Sequence, residues 1–237
     1  MITIIIIPDS RPDMTMITLH HLDNSRSQRI LWLLEELHCS YSVRAYRRDP
    51  GSLLAPPGLK AVHPLGKAPV LTDDDIVVAE SAAIIEYLID TYGQGRFKPP
   101  AATRAGRDYT YWLHYAEGSA MPPLVMSLVF SRLDRPPMPL LLRPLAGMIA
   151  RGVQRRFLDP QLKLHLEHID AHLATSGWFA GEDISGADIQ MSFVLEAACS
   201  RVPFARTLPR IQDFLARIHA RPAYRAALEK GGPYAYA

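Results

Sequence analysis

The hydrophobic periodicity of this chain changes once, and that change limits the folds open to it. Up to residue 92, short apolar alternations exchange with helical spacings; past a Gly- and Pro-bearing stretch at 93–103, no strand pattern returns. In the first part, residues 17–20 read as a strand. A helix begins at Ser25, its apolar set Ile30, Leu31, Leu33, Leu34 and Leu37 recurring at helical intervals. Residues 41–46 alternate again, and 50–58 read as loop with a helical turn after it. Residues 68–71 and 76–78 form an expected hairpin around Asp73, Asp74 and Asp75, and 80–92 a helix stopped at Gly93. A βαβ unit followed by a ββα unit is a small α/β layer fold whose first crossover is right-handed. In the second part, 104–132 and 141–175 are long helical patterns, parted by Pro136, Pro137 and Pro139, which forbid a continuous helix. Three further helices are expected at 186–200, 209–220 and 222–230. The expected organisation is an extension at 1–14, an α/β domain at 15–93, a linker at 94–103 and an all-helical domain at 104–237.

Charge and cysteine usage exclude several function classes. The 26 basic residues nearly balance 24 acidic ones, so nucleic acid is not an expected partner. Cys39 and Cys199 lie far apart, supply neither a disulfide framework nor a zinc motif, and suit a reducing cytoplasm. The apolar run at 2–7 is far short of the about 20 residues of a membrane span. It lacks a basic flank and a small-residue cleavage site, so no secretory signal is expected. Residues 1–14 read as lying outside the fold, with Met14 and Met16 as alternative starts.

Chemistry concentrates in His63-Pro64-Leu65-Gly66-Lys67-Ala68-Pro69-Val70-Leu71. A proline ahead of a β run has no N–H for a central ladder, so Pro69 belongs at the strand's start or edge. With a cis Ala68–Pro69 bond, the Ala68 main chain turns away from neighbouring strands and can pair with an extended peptide. An ordinary trans edge proline is the competing reading of this segment alone. Glu80 and Ser81 then open a helix. Free N–H groups there favour a carboxylate, and Glu80 favours an ammonium, so the pair suits an amino-acid head group; simple helix capping is the alternative. Farther on, Ser185 and Asp188 make an Asp version of the capping box, with Ile184 and Ile189 as its hydrophobic staple.

These segments resemble a known family. Residues 63–71 followed by Ala79-Glu80-Ser81-Ala82-Ala83-Ile84 are similar to the glutathione-binding segment of cytosolic glutathione transferases, and 184–189 resembles that family's N-capping box. The resemblance, to a serine-type, theta- or zeta-like microbial branch, implies a thioredoxin-like α/β domain followed by an all-α helical-bundle domain. It implies that Ala68, ahead of Pro69, pairs with the cysteinyl backbone of glutathione. Glu80 and Ser81 would grip the γ-glutamyl end, and Lys67 would meet the glycyl carboxylate. His63 stands where asparagine is usual. The family's thiol-activating group lies at the start of the first helix, where a hydroxyl lowers the thiol pKa from about 8.5 toward neutrality. Ser25 lies four residues before Arg29, the theta-like spacing; Asn24 lies five before it, the zeta- and tau-like spacing; Ser27 is the remaining hydroxyl. With no cysteine there, cysteine-type mixed-disulfide chemistry is disfavoured.

The implied protein is a homodimeric enzyme joining glutathione, its co-substrate, to small hydrophobic electrophiles, or reducing organic hydroperoxides with it. No metal or prosthetic group is expected. Tyr111 and Tyr115, one turn apart, are candidates for an electrophile pocket between the domains, with core packing as the alternative, and Asp108 is a candidate for a contact across the dimer. The rival readings are a non-catalytic binding or protein-interaction module and a glutathione-dependent disulfide-bond reductase. His165, His168 and His172 share a helix face and are read as solvated, as are Arg151, Arg155 and Arg156. The apolar segment 124–145 reads as a buried elbow or a subunit contact.

Overall fold

The computed structural model describes residues 17–49 and 54–236. The expectations for 1–14, and for part of the 50–58 loop, lie outside these residues. β1 (Ile17–Leu22) runs parallel to β2 (Tyr41–Tyr46) and antiparallel to β3 (Val70–Asp73), which pairs antiparallel with β4 (Ile76–Ala79). The strand order is β2-β1-β3-β4, as the βαβ-ββα pattern requires. Helix α1 (Ser27–Glu36) makes the crossover, and α2 (Ser81–Tyr92) follows the hairpin. α1 starts two residues later than its apolar spacing suggests: the Ser25 hydroxyl accepts from the Ser27 N–H at 3.2 Å, holding Ser25 in the preceding turn.

The rest of the described chain is helical. α3 (Arg104–Tyr115) runs through a π turn (Ala116–Ala120) into α4 (Met121–Phe130), and α5 (Arg143–Val153) through another (Gln154–Leu158) into α6 (Asp159–Ser176). α7 (Gly186–Arg201), α8 (Pro209–Ala220) and α9 (Pro222–Gly231) complete the bundle. α7 is buried on all sides from Gly186 to Ala198, which explains why its sequence shows no apolar stripe. It carries the expected capping box, Asp188 accepting from the Ser185 N–H at 2.8 Å and the Phe179 N–H at 2.9 Å. α1 is enclosed too, because the sheet covers one side while α7 and α9 cover the other. One hydrophobic core therefore joins both domains. Among the described helices none is long and apolar enough to cross a membrane.

Two surface expectations are corrected. The segment linking α4 to α5 is not a buried elbow: Leu141 is 93% exposed, because the prolines drive the chain out of the bundle, and this exposure is compatible with the alternative, a subunit contact. The α6 histidines are packed, not simply solvated: His168 stacks on Trp112, His172 on Phe179, and His165 bonds the Tyr115 hydroxyl. Among the described residues no His, Cys, Asp and Glu cluster could hold a metal.

Candidate functional site

A single strand pair assembles the core of the site. Val70 pairs with Ala79 across the β3–β4 hairpin, so the residues preceding one and following the other lie side by side. Ala68 and Pro69 thus face Glu80 and Ser81. The Ala68–Pro69 bond is cis. The β1–β3 ladder ends at the His20–Val70 pair, which leaves Ala68 outside it. Glu80 sits at φ 73°, a left-handed conformation uncommon for a non-glycine residue and typical of constrained functional positions. Ser81 is buried as the first residue of α2, where main-chain N–H groups have no partner within the helix. Lys67, Ala68, Pro69, Glu80 and Ser81 line one cleft of about 240 Å³, together with His63, Leu65, Arg26 and Glu117. A second cleft of about 470 Å³ shares Arg26, Leu65, Lys67 and Ala68 with it and adds Arg48 and Lys60.

The turn between β1 and α1 separates the three candidates for a thiol-facing group. The Asn24 carboxamide oxygen accepts from the Ala235 N–H at 2.8 Å, so that side chain is committed to the C-terminal tail. Ser27 has no exposure; its hydroxyl lies 2.9 Å from His21 Nδ1 and accepts from the Leu22 N–H at 3.2 Å. Ser25 is 6% exposed and is not itself among the cleft-lining residues; its hydroxyl lies 2.7 Å from that of Ser27, and it directly precedes the cleft-lining Arg26.

Comparison with known proteins places this arrangement. Residues 14–90 match the family model described as glutathione S-transferase, N-terminal domain, and 155–222 the one described as its C-terminal domain. Glutathione S-transferase 3 of Schizosaccharomyces pombe is 39% identical over 91% of this chain and 88% of its own length. The chain belongs to the glutathione S-transferase family. Glutathione S-transferase 1 of Saccharomyces cerevisiae is 31% identical over 91% of this chain and 95% of its own. A solved glutathione S-transferase from Actinobacillus pleuropneumoniae, 39% identical, superposes with TM-score 0.77 over 91% of this chain and 93% of that one. A sphingomonad glutathione S-transferase complexed with glutathione shares the fold at 22% identity, with TM-score 0.70 over 91% of this chain and 98% of its own.

In this transferase, Tyr111 and Tyr115 do not line either cleft. They stack on each other and meet His168 and His165 of α6, on the side of α3 away from the α/β domain. Asp108 pairs with Arg104 one turn back along α3. Two cleft residues escaped sequence reasoning. Arg26 donates to Glu117 at 2.9 Å, and the fully buried Arg29 donates to the same carboxylate at 2.6 Å. Burial pushes the Glu117 carboxyl up, but Arg29 and Arg26 outweigh it and hold the group below the ordinary glutamate range. Glu117 lies on the π turn of the α3–α4 helix, an insertion that recurs at functional sites and leaves no mark in apolar spacing.

Proposed function

We propose that this transferase binds glutathione extended along the cleft and conjugates its sulfur to small hydrophobic electrophiles. The observation that supports this most is the convergence of Ala68 and Pro69 with Glu80 and Ser81 across the Val70–Ala79 pair. Ala68 pairs with the cysteinyl main chain as a short added strand. Glu80 takes the γ-glutamyl ammonium, and Ser81 with the α2 N-terminus takes its carboxylate. The glycyl carboxylate points to the second cleft, whose described lining holds Arg48, Lys60 and Lys67 and no carboxylate. Ser25 donates to the thiolate, which attacks the electrophilic carbon; the same thiolate can attack a hydroperoxide oxygen. Behind the cleft-lining Arg26, which lies 5.5 Å above the Phe193 ring, Phe193 packs edge-on with Tyr236, and the tail carrying Tyr236 is anchored on Asn24.

Purified protein given glutathione and a chloronitrobenzene should form the conjugate, and cumene hydroperoxide tests the peroxidase branch. Retention on immobilised glutathione without turnover of either would favour a binding module instead. Ser25→Ala should lower the rate near neutral pH by about tenfold, the loss of thiolate that a one-unit rise in the thiol pKa brings; an unchanged rate removes Ser25 from its role.

A further inference from the structure

We propose that His21 receives the proton that the glutathione thiol gives up, passed to it through Ser25 and Ser27. The inference rests on the reading that Ser25 meets the sulfur. Ser25 and Ser27 hydroxyls are 2.7 Å apart, Ser27 Oγ is 2.9 Å from His21 Nδ1, and His21 Nε2 is 3.1 Å from the Gly231 carbonyl. A carbonyl only accepts, so Nε2 carries the hydrogen and Nδ1 of the neutral ring presents a lone pair. Ser27 has one hydroxyl hydrogen and two acceptors in reach, Nδ1 at 2.9 Å and the Leu22 carbonyl at 3.2 Å, and the shorter contact gives the direction of the chain. Ser27 donates to Nδ1 and accepts from Ser25, and Ser25 is left able to accept from an S–H group.

The step balances without any outside reactant. The S–H bond breaks as an O–H bond forms at Ser25; the proton Ser25 held moves to Ser27, and that of Ser27 moves to Nδ1. Thiolate and imidazolium result, and both hydroxyls now donate outward. Ser25 thereby ends as the donor to the sulfur, the state that stabilises the thiolate. After conjugation the proton returns along the same path to the leaving group or to water.

The surroundings suit this role. His21 is 4% exposed, so burial pulls its pKa down and keeps the resting ring neutral, while the Gly231 carbonyl and Asp23 favour the charged form. Gly231 ends α9, so the negative end of that helix dipole faces the ring when it becomes charged. Other charges on the packed elements are engaged elsewhere: Arg29 with Glu117 and Glu36 with Arg221 on α1, Lys230 with Glu35 on α9. Glu229 of α9 is exposed. The Asp23 carboxylate accepts from the Arg48 main-chain N–H at 3.0 Å, and the Arg48 guanidinium, following β2, donates to the Asp23 main-chain carbonyl at 3.3 Å.

His21→Asn separates a relay from a purely structural histidine, because its carboxamide oxygen can still accept from Ser27 but cannot take the proton. The ultraviolet absorbance of the bound thiolate is followed against pH for wild type, His21→Asn and Ser25→Ala, with glutathione affinity from calorimetry. Both variants should raise the midpoint by roughly one pH unit and lose about tenfold in rate below it, and His21→Asn should bind glutathione as wild type does. A raised midpoint in Ser25→Ala with an unmoved one in His21→Asn overturns the relay alone. An unmoved midpoint in Ser25→Ala overturns the reading beneath it. If His21→Asn does not fold, Ser27→Ala breaks the same chain and the same shift is required of it.

Discussion

Arg29 is a fully buried cation held by two groups from the helical domain, while its Nε has no hydrogen-bond partner. One is the Gln190 carbonyl, at 2.5 Å; the other is Glu117. Burial lowers its pKa, and the Glu117 carboxylate opposes that. Glu117→Ala therefore leaves a charge in the interior without its counter-ion, a change that costs about 3–5 kcal/mol for a wholly buried pair. Glu117 is itself 34% exposed, so we expect the low end, about 2–3 kcal/mol in urea denaturation. Glu117→Gln, which keeps an acceptor, should lose less. Because the folded-state pKa of Glu117 is depressed, its contribution is present above the unfolded value of 4.5 and is lost as pH falls below it. A stability curve in which wild type and Glu117→Gln converge only at acidic pH is the expected result.

The start of α7 makes the opposite kind of statement. Asp188 is fully buried, and burial outweighs the bonds it accepts from Phe179 and Ser185, raising its pKa to about 6. The folded state thus holds this proton more tightly than the unfolded chain does. Stability from that proton is full below the unfolded value of 3.8 and declines as pH rises to about 6, by about 3 kcal/mol for this site. Asp188→Asn has no such titration, so its stability should be flat over that window. At neutral pH it should still be less stable than wild type by about 1–3 kcal/mol, since its amide faces a main-chain donor. Thermal melts at a series of pH values check both. The capping box was legible in the residues themselves because capping needs only a serine and an acid at fixed spacing. Its burial was not, since α7 owes its enclosure to helices distant in the chain.

Across the whole molecule, the exposed apolar side chains gather on α4, α5 and the segment joining them: Val125, Val129, Leu141, Leu145, Met148 and Ile149. Exposed apolar side chains concentrated on two successive helices are unusual for a monomer and support the homodimer expected of the family. Sedimentation should give a dimer at micromolar concentration, and Ile149→Glu, which leaves both clefts untouched, should shift it to monomer. A wild-type monomer would discard the expectation. The same view explains where the two tyrosines fall. Helical spacing put Tyr111 and Tyr115 on one face of α3, correctly, but spacing carries no information about which neighbour that face meets, and it meets α6.

Local chemistry accounts for what could be read early. A proline cannot donate to a ladder, apolar residues repeat with the period of their element, and a carboxylate with a hydroxyl suits a helix mouth. Hence the two-part fold, the junction at Ala68–Pro69 and the Glu80–Ser81 pair were visible in the string of residues. Arg26 with Glu117, Ser27 with His21, and His21 with Gly231 were not. Those partners lie up to 210 positions apart. Only the shared core of the two domains sets such contacts, because a hydrogen bond depends on distance in space, and separation along the chain does not encode it.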